Sequence, residues 1–148
     1  MPSSPSPAET YESFMVPYRF LPWAHELVAR LHIDPGARLL DVACGTGIVA
    51  RVAAKQTESQ TKIVGIDMNP AMIDVARATA SNEGVAIEWH VGNGSELPFS
   101  DGSFDIVTIQ QALQFFPDQP LPRARPRRRD RHRGLVGTGK TGAPTGIC

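Results

Sequence analysis

The sequence predicts an α/β domain built on a mainly parallel sheet, and three observations carry that prediction. Short apolar runs of strand length recur at residues 38–43, 62–67, 85–91 and 104–109. Helix-patterned segments separate the first three runs, so the order reads β-α-β-α-β-loop-β. A glycine turn, "GTG" at residues 45–47, joins the first run to the first of those helices. Strands alternating with helices bury their apolar faces in a parallel sheet with right-handed crossovers.

The opening ten residues, "MPSSPSPAET", are rich in Pro and Ser and lack both a basic start and an apolar run. They read as a mobile N-terminus, neither a secretory signal nor a membrane span. Residues 11–20, "YESFMVPYRF", supply aromatics that pack on a core or cover a site, and Pro17 is expected to break any long helix there. Trp23, Leu27, Val28 and Leu31 fall at helical spacing and predict an amphipathic helix over 22–32, ended by the Pro35-Gly36 turn. After the first strand and the glycine turn, Ile48, Val49, Val52 and Ala53 share one helical face. Asn69-Pro70 supplies an N-cap and a first-turn proline for the next helix, through Met72, Ile73 and Ala76. "SDGS" at residues 100–103 is a turn launching the fourth strand.

Charge divides the chain. Residues 1–118 hold 7 Lys plus Arg against 14 Asp plus Glu, whereas residues 119–148 hold 8 against 1. The expected organisation is a mobile stretch over 1–10, a folded domain over 11–118, and a basic, Pro/Gly-rich, disordered tail over 119–148. Cys44 and Cys148 form no disulfide framework and no metal-ligand spacing, which points to a reducing, cytoplasmic setting and to no metal.

In sheets of this kind ligands bind beyond the carboxyl ends of the strands. The residues there are 41–47, Asp67, Met68, Asn93 and Gln110. The run 45–50, "GTGIVA", fits G-x-G-x-x-G/A, with Asp67 about 20 residues on. By itself this leaves both nicotinamide dinucleotides and S-adenosylmethionine open. Asp41 separates them: a carboxylate aimed into the turn repels a pyrophosphate and suits the ammonium of a methionine moiety.

With those residues in view, the chain resembles the class I S-adenosylmethionine-dependent methyltransferases, in particular their small-molecule, ubiquinone-biosynthesis-like branch. "DVACGTG" at 41–47 is similar to the family's acidic-x-Gly-x-Gly-x-Gly motif, with Ala43 in place of the first glycine. "VGIDMNPAMIDVAR" at 64–77, "LPFSDGSFDIV" at 97–107 and "QQALQFFPD" at 110–118 resemble the segments that follow in that family. The resemblance covers residues 11–118. It implies a Rossmann-like fold with helices on both faces, incomplete at about four of the family's seven strands. It also implies S-adenosyl-L-methionine as cofactor and methyl transfer to a small-molecule acceptor. The implied cofactor contacts are Asp41, Ala43, Gly45, Gly47, Asp67, Met68, Asn93 and Gln110. Asp67 would accept from the ribose hydroxyls, Met68 would pack on the adenine, and Asn93 would accept from the adenine amino group where the family usually has Asp. Gln110 would contact the methionine part or the substrate, and Tyr11, Phe14 or Tyr18 would face the cationic sulfur. No residue is assigned as general base.

Plainer readings stand beside these: Met68 as core, and Asn93 as a turn residue between two glycines. Residues 134–141, "GLVGTGKT", match the P-loop pattern, but a P-loop needs a strand before it and a helix after it, and neither is written there. The arginine run lacks interleaved aromatics, which argues against nucleic acid as a partner. The family-like text stops after Asp118, so the tail is expected to replace the native end through truncation or a frameshift. The fourth strand would then present an unpaired apolar edge, and the missing pocket segments argue against turnover. The alternatives kept open are an NAD-binding oxidoreductase fragment and a non-enzymatic remnant whose basic tail binds polyanions.

Overall fold

The computed structural model describes residues 4–57, 60–110, 112, 123–124, 135–138 and 144–147. Six strands form one sheet: β1 Arg38–Val42, β2 Lys62–Asp67, β3 Glu88–Val91, β4 Ile106–Gln110, β5 Leu135–Thr138 and β6 Pro144–Ile147. Their order is β3-β2-β1-β4-β5-β6. The first five pair in parallel, and β6 runs antiparallel to β5. Chain order reverses between β1 and β4, which sets the topological switch beside the end of β1.

The helices are α1 Pro7–Thr10, a π-helical segment Tyr11–Phe20, α2 Leu21–Ala29, α3 Ile48–Gln56 and α4 Pro70–Asn82. Strand periodicity assigns the two faces of the sheet. Leu39, Ile63 and Ile106 point to the face packed by α2 and α3, through Leu27, Val28, Val49, Val52 and Ala53. Leu40, Val42, Val64, Ile66, Val107 and Ile109 point the other way. That second face is covered by Leu97, Phe99 and Phe104 from the irregular stretch before β4. Asn69 caps α4 as expected, its side chain accepting from the Ala71 N–H at 3.0 Å. The helix ends in a Schellman arrangement: Gly84 has φ 69°, and the Val85 N–H reaches back to the Ala80 carbonyl at 3.1 Å.

Within the stretch over 1–10, Pro7–Thr10 is helical and Ser6 and Glu9 form a capping box: the Ser6 N–H donates to the Glu9 carboxylate at 2.6 Å and the Glu9 N–H to the Ser6 hydroxyl at 3.2 Å. Two expectations are corrected. Pro17 does not break the helix, since the backbone widens to π winding over Tyr11–Phe20. The wider turn relieves the clash between a proline ring and the preceding carbonyl. Finally, β4 is not an edge. Thr108, Ile109 and Gln110 pair with Val136, Gly137 and Thr138 of β5, inside the segment read as a disordered tail. An open, apolar β4 favours any extended neighbour that completes its ladder, and composition dominated by Arg, Gly and Pro conceals a four-residue strand. Residues 135–138, the variable part of the P-loop pattern, are thus strand and not loop. Gly134, residues 139–141, most of the arginine run and Asp118 lie outside the described residues.

Candidate cofactor site

One row of register partners crosses the sheet on the α3 face: Trp89, Gly65, Asp41 and Thr108. Gly65 leaves room there for the indole, since a Cβ at Gly65 would lie 2.4 Å from Trp89. The same ring reaches the glycine turn, where a Cβ on Gly47 would lie 2.2 Å from it. A glycine inside an otherwise apolar strand signals such an approach, and Gly65 carried that signal unread.

Asp41, at the end of β1, is only 1 % exposed. Its Oδ1 accepts from the Thr108 hydroxyl at 3.0 Å, and its Oδ2 is buried with no partner among the described residues. Burial raises its pKa from 3.8 to about 7; the Thr108 hydroxyl and the Ala50 amide pull it down, and Asp67 adds to the rise. The Ala50 amide thus lies near enough to favour the charge without making a hydrogen bond, and the position is an interior carboxylate whose Oδ2 has no hydrogen-bond partner among the described residues.

The turn that follows bends through three left-handed residues: Ala43 at φ 52°, Gly45 at φ 56° and Gly47 at φ 81°. Ala43 holds a conformation that disfavours a side chain by about 1 kcal/mol, consistent with its standing where the resembling motif has glycine. The turn is pinned to β2 by the Cys44 N–H on the Ile66 carbonyl at 3.1 Å and closed by the Gly47 N–H on the Cys44 carbonyl at 2.9 Å. Asp67, at the end of β2, accepts the Gly45 N–H on one oxygen at 2.8 Å and the Asn69 N–H on the other at 2.9 Å. It binds the two strand ends to each other and keeps lone pairs for a further donor. The Cys44 thiol is buried and its pKa is pushed up by desolvation and by Asp41 and Asp67, which makes it unreactive.

The remaining predicted residues sit around this centre. Met68 is 74 % exposed beside Asp67, on the rim and not in the core. The Asn93 Oδ1 accepts the Ser95 N–H at 3.0 Å, as a turn residue would, with its second lone pair left over. Gln110 donates to the Phe20 carbonyl at 3.4 Å and ties the end of β4 to the N-terminal helix.

That helix brings Tyr11 to the turn. A Cβ on Gly45 would meet the Tyr11 hydroxyl at 3.5 Å, and the ring stacks on Phe20 at 5.2 Å. Burial, with Asp67, Glu12, Asp41 and Cys44 nearby, raises the phenol pKa to about 12. Phe14 and Tyr18 are 66 % and 83 % exposed. Sequence reasoning passed over Arg51, whose guanidinium is buried between Glu12 at 2.7 Å and Glu83 at 2.6 Å. The first cation after the glycine turn is therefore directed away from the turn, and the groups converging on it are carboxylates and backbone amides. The two carboxylates repel a diphosphate and suit an ammonium.

A family model described as a methyltransferase domain matches residues 39–128. A demethylmenaquinone methyltransferase of Symbiobacterium thermophilum is 39 % identical over 94 residues, covering 62 % of this chain and 38 % of the relative. A nocamycin O-methyltransferase of Saccharothrix syringae is 36 % identical over 128 residues, covering 85 % and 46 %. A solved SAM-dependent methyltransferase from Aquifex aeolicus superposes with TM-score 0.67 at 17 % identity over 95 % of this chain and 79 % of that one, a likeness of fold. The chain spans less than half the length of these two curated relatives.

Proposed function

The chain belongs to the methyltransferase-domain family, and from that premise we propose that it forms the cofactor-binding part of a class I S-adenosylmethionine-dependent methyltransferase acting on a small molecule. The observation that carries the reading is the buried, unpartnered Oδ2 of Asp41. An orphaned interior carboxylate oxygen fits a cationic donor, and the cofactor's amino acid end offers one. Asp67, with spare lone pairs, is suited to ribose hydroxyls, and exposed Met68 offers a polarizable surface to an adenine face. Asn93 offers its remaining lone pair to the adenine amino group. Ala43, Gly45 and Gly47 present backbone to the cofactor, and Gln110 stands at the methionine end or the acceptor.

When bound, S-adenosylmethionine supplies a methyl group on a sulfonium, transferred by direct displacement. What the chain's own residues contribute is alignment and a water-poor, negatively polarised surround. Tyr11, whose hydroxyl end lies beside Gly45, puts an aromatic ring near where the sulfonium would sit. The relatives' names support acceptors as unlike as demethylmenaquinone and nocamycin, so the acceptor is proposed only as a small organic molecule. No described helix is long and apolar enough to cross a membrane. A chain with two cysteines and no disulfide framework in its sequence suits a cytoplasmic setting.

The test is calorimetry on the full chain with S-adenosylhomocysteine and, separately, NADH. Saturable binding of the former, weakened about tenfold or more by Asp41→Ala, is expected. Binding of NADH with none of S-adenosylhomocysteine would overturn the reading.

A further inference from the structure

Arg51 lies in α3, whose inner side is otherwise apolar, yet its side chain is only 3 % exposed. A buried guanidinium is tolerated when its charge is matched, and here two carboxylates match it from two different helical segments. Nη2 donates to Glu12 of the π-helical segment at 2.7 Å, and Nη1 to Glu83 at the C-cap of α4 at 2.6 Å. Lys55 adds a second cation to Glu83 at 3.0 Å, so the Glu83 arm has a reserve partner. Among the described residues Glu12 pairs with no second cation, and its other oxygen is buried without a partner.

The position of Glu12 is what turns this ion pair from packing into site architecture. Its chain neighbour is Tyr11, the residue whose hydroxyl end lies over Gly45. Fixing Glu12 against α3 fixes the backbone from which Tyr11 projects, and the stack on Phe20 then sets the ring. The Gln110 contact on the Phe20 carbonyl anchors the far end of the same segment, at a longer 3.4 Å. We infer that Arg51 is a positioning residue: through Glu12 it clamps the N-terminal helix so that Tyr11 forms one wall of the cofactor seat, while its pair with Glu83 only joins α3 to α4. The inference rests on the proposed function for the identity of the ligand, but not for the clamp itself.

Two full-length variants separate the arms, because each removes one carboxylate from the same guanidinium: Glu12→Gln and Glu83→Gln. Amide hydrogen exchange on the ligand-free chain reads the clamp. Glu12→Gln is expected to speed exchange over residues 11–20 about tenfold, while Glu83→Gln leaves that stretch within roughly twofold of the unmodified chain. Calorimetry with S-adenosylhomocysteine reads the wall. Glu12→Gln is expected to weaken binding about tenfold, and Glu83→Gln is expected to leave it near the unmodified value. Equal effects of the two variants, or none from Glu12→Gln, would overturn the inference. Absence of binding by the unmodified chain would instead fell the methyltransferase reading, and the exchange comparison would still decide the clamp.

Discussion

The ends of β1 and β2 lie side by side, each carrying an aspartate within its last two residues, and the two carboxylates have opposite circumstances. Asp67 is partly exposed and spends both oxygens on backbone amides, those of Gly45 and Asn69. Asp41 is buried, takes one hydroxyl bond from Thr108, and keeps an oxygen with no partner among the described residues. An acceptor satisfied by the backbone holds the fold together, whereas an interior charge left half-satisfied opposes folding until something brings it a cation. The same residue type, one strand apart, thus serves as scaffold in one place and as an unfilled socket in the other.

The strongest way to break that contrast is Asp67→Ala. It removes the acceptor of one part-buried and one exposed amide and should lower stability by about 1 to 3 kcal/mol in urea unfolding; a loss below about 0.5 kcal/mol would remove Asp67 from the scaffold. Asp41→Asn should act through pH. The folded pKa of Asp41 is raised from 3.8 to about 7, so its contribution is fully present below the lower value and drains away as pH rises toward the upper. The unmodified chain should therefore lose stability relative to Asp41→Asn between those limits, by at most about 1.4 kcal/mol per pH unit, and run parallel above them. A cation at Oδ2 favours the ionised form, so S-adenosylhomocysteine affinity should rise with pH through about 7 in the unmodified chain and stay flat in the variant. Parallel stability profiles from pH 4 to 8 would contradict this. The smallest effect belongs to Ala43→Gly, which relieves φ 52° and should raise the unfolding free energy by about 0.5 kcal/mol after the added backbone entropy is subtracted.

The strands and the turn were legible because period-2 runs and left-handed glycines are local statements. Asp41 was legible as a charge at a strand end, but its burial was not, since that depends on α3 folding over β1. The partnership of Trp89 with Gly65 and Gly47 joins three separate elements, and only Gly65 hinted at it. Arg51 interrupts an apolar helix face, which reads as a solvated residue until Glu12 and Glu83 converge on it. The capping box of Ser6 and Glu9 was written in the sequence and hidden by Pro/Ser composition around it. β5 was hidden differently: its pairing is dictated by the open side of β4, a tertiary demand that no four-residue propensity expresses.

The Arg51 pairs also carry a message about the order of assembly. Glu12 lies 39 residues before Arg51 and Glu83 lies 32 after it, so the knot ties together segments that leave the ribosome far apart in time. Both loops must be closed before the guanidinium can be desolvated without penalty, and sealing of the N-terminal helix is expected to come late in folding and to fail early in unfolding. A protease added under mildly destabilising conditions should accordingly find its first cleavage sites ahead of β1.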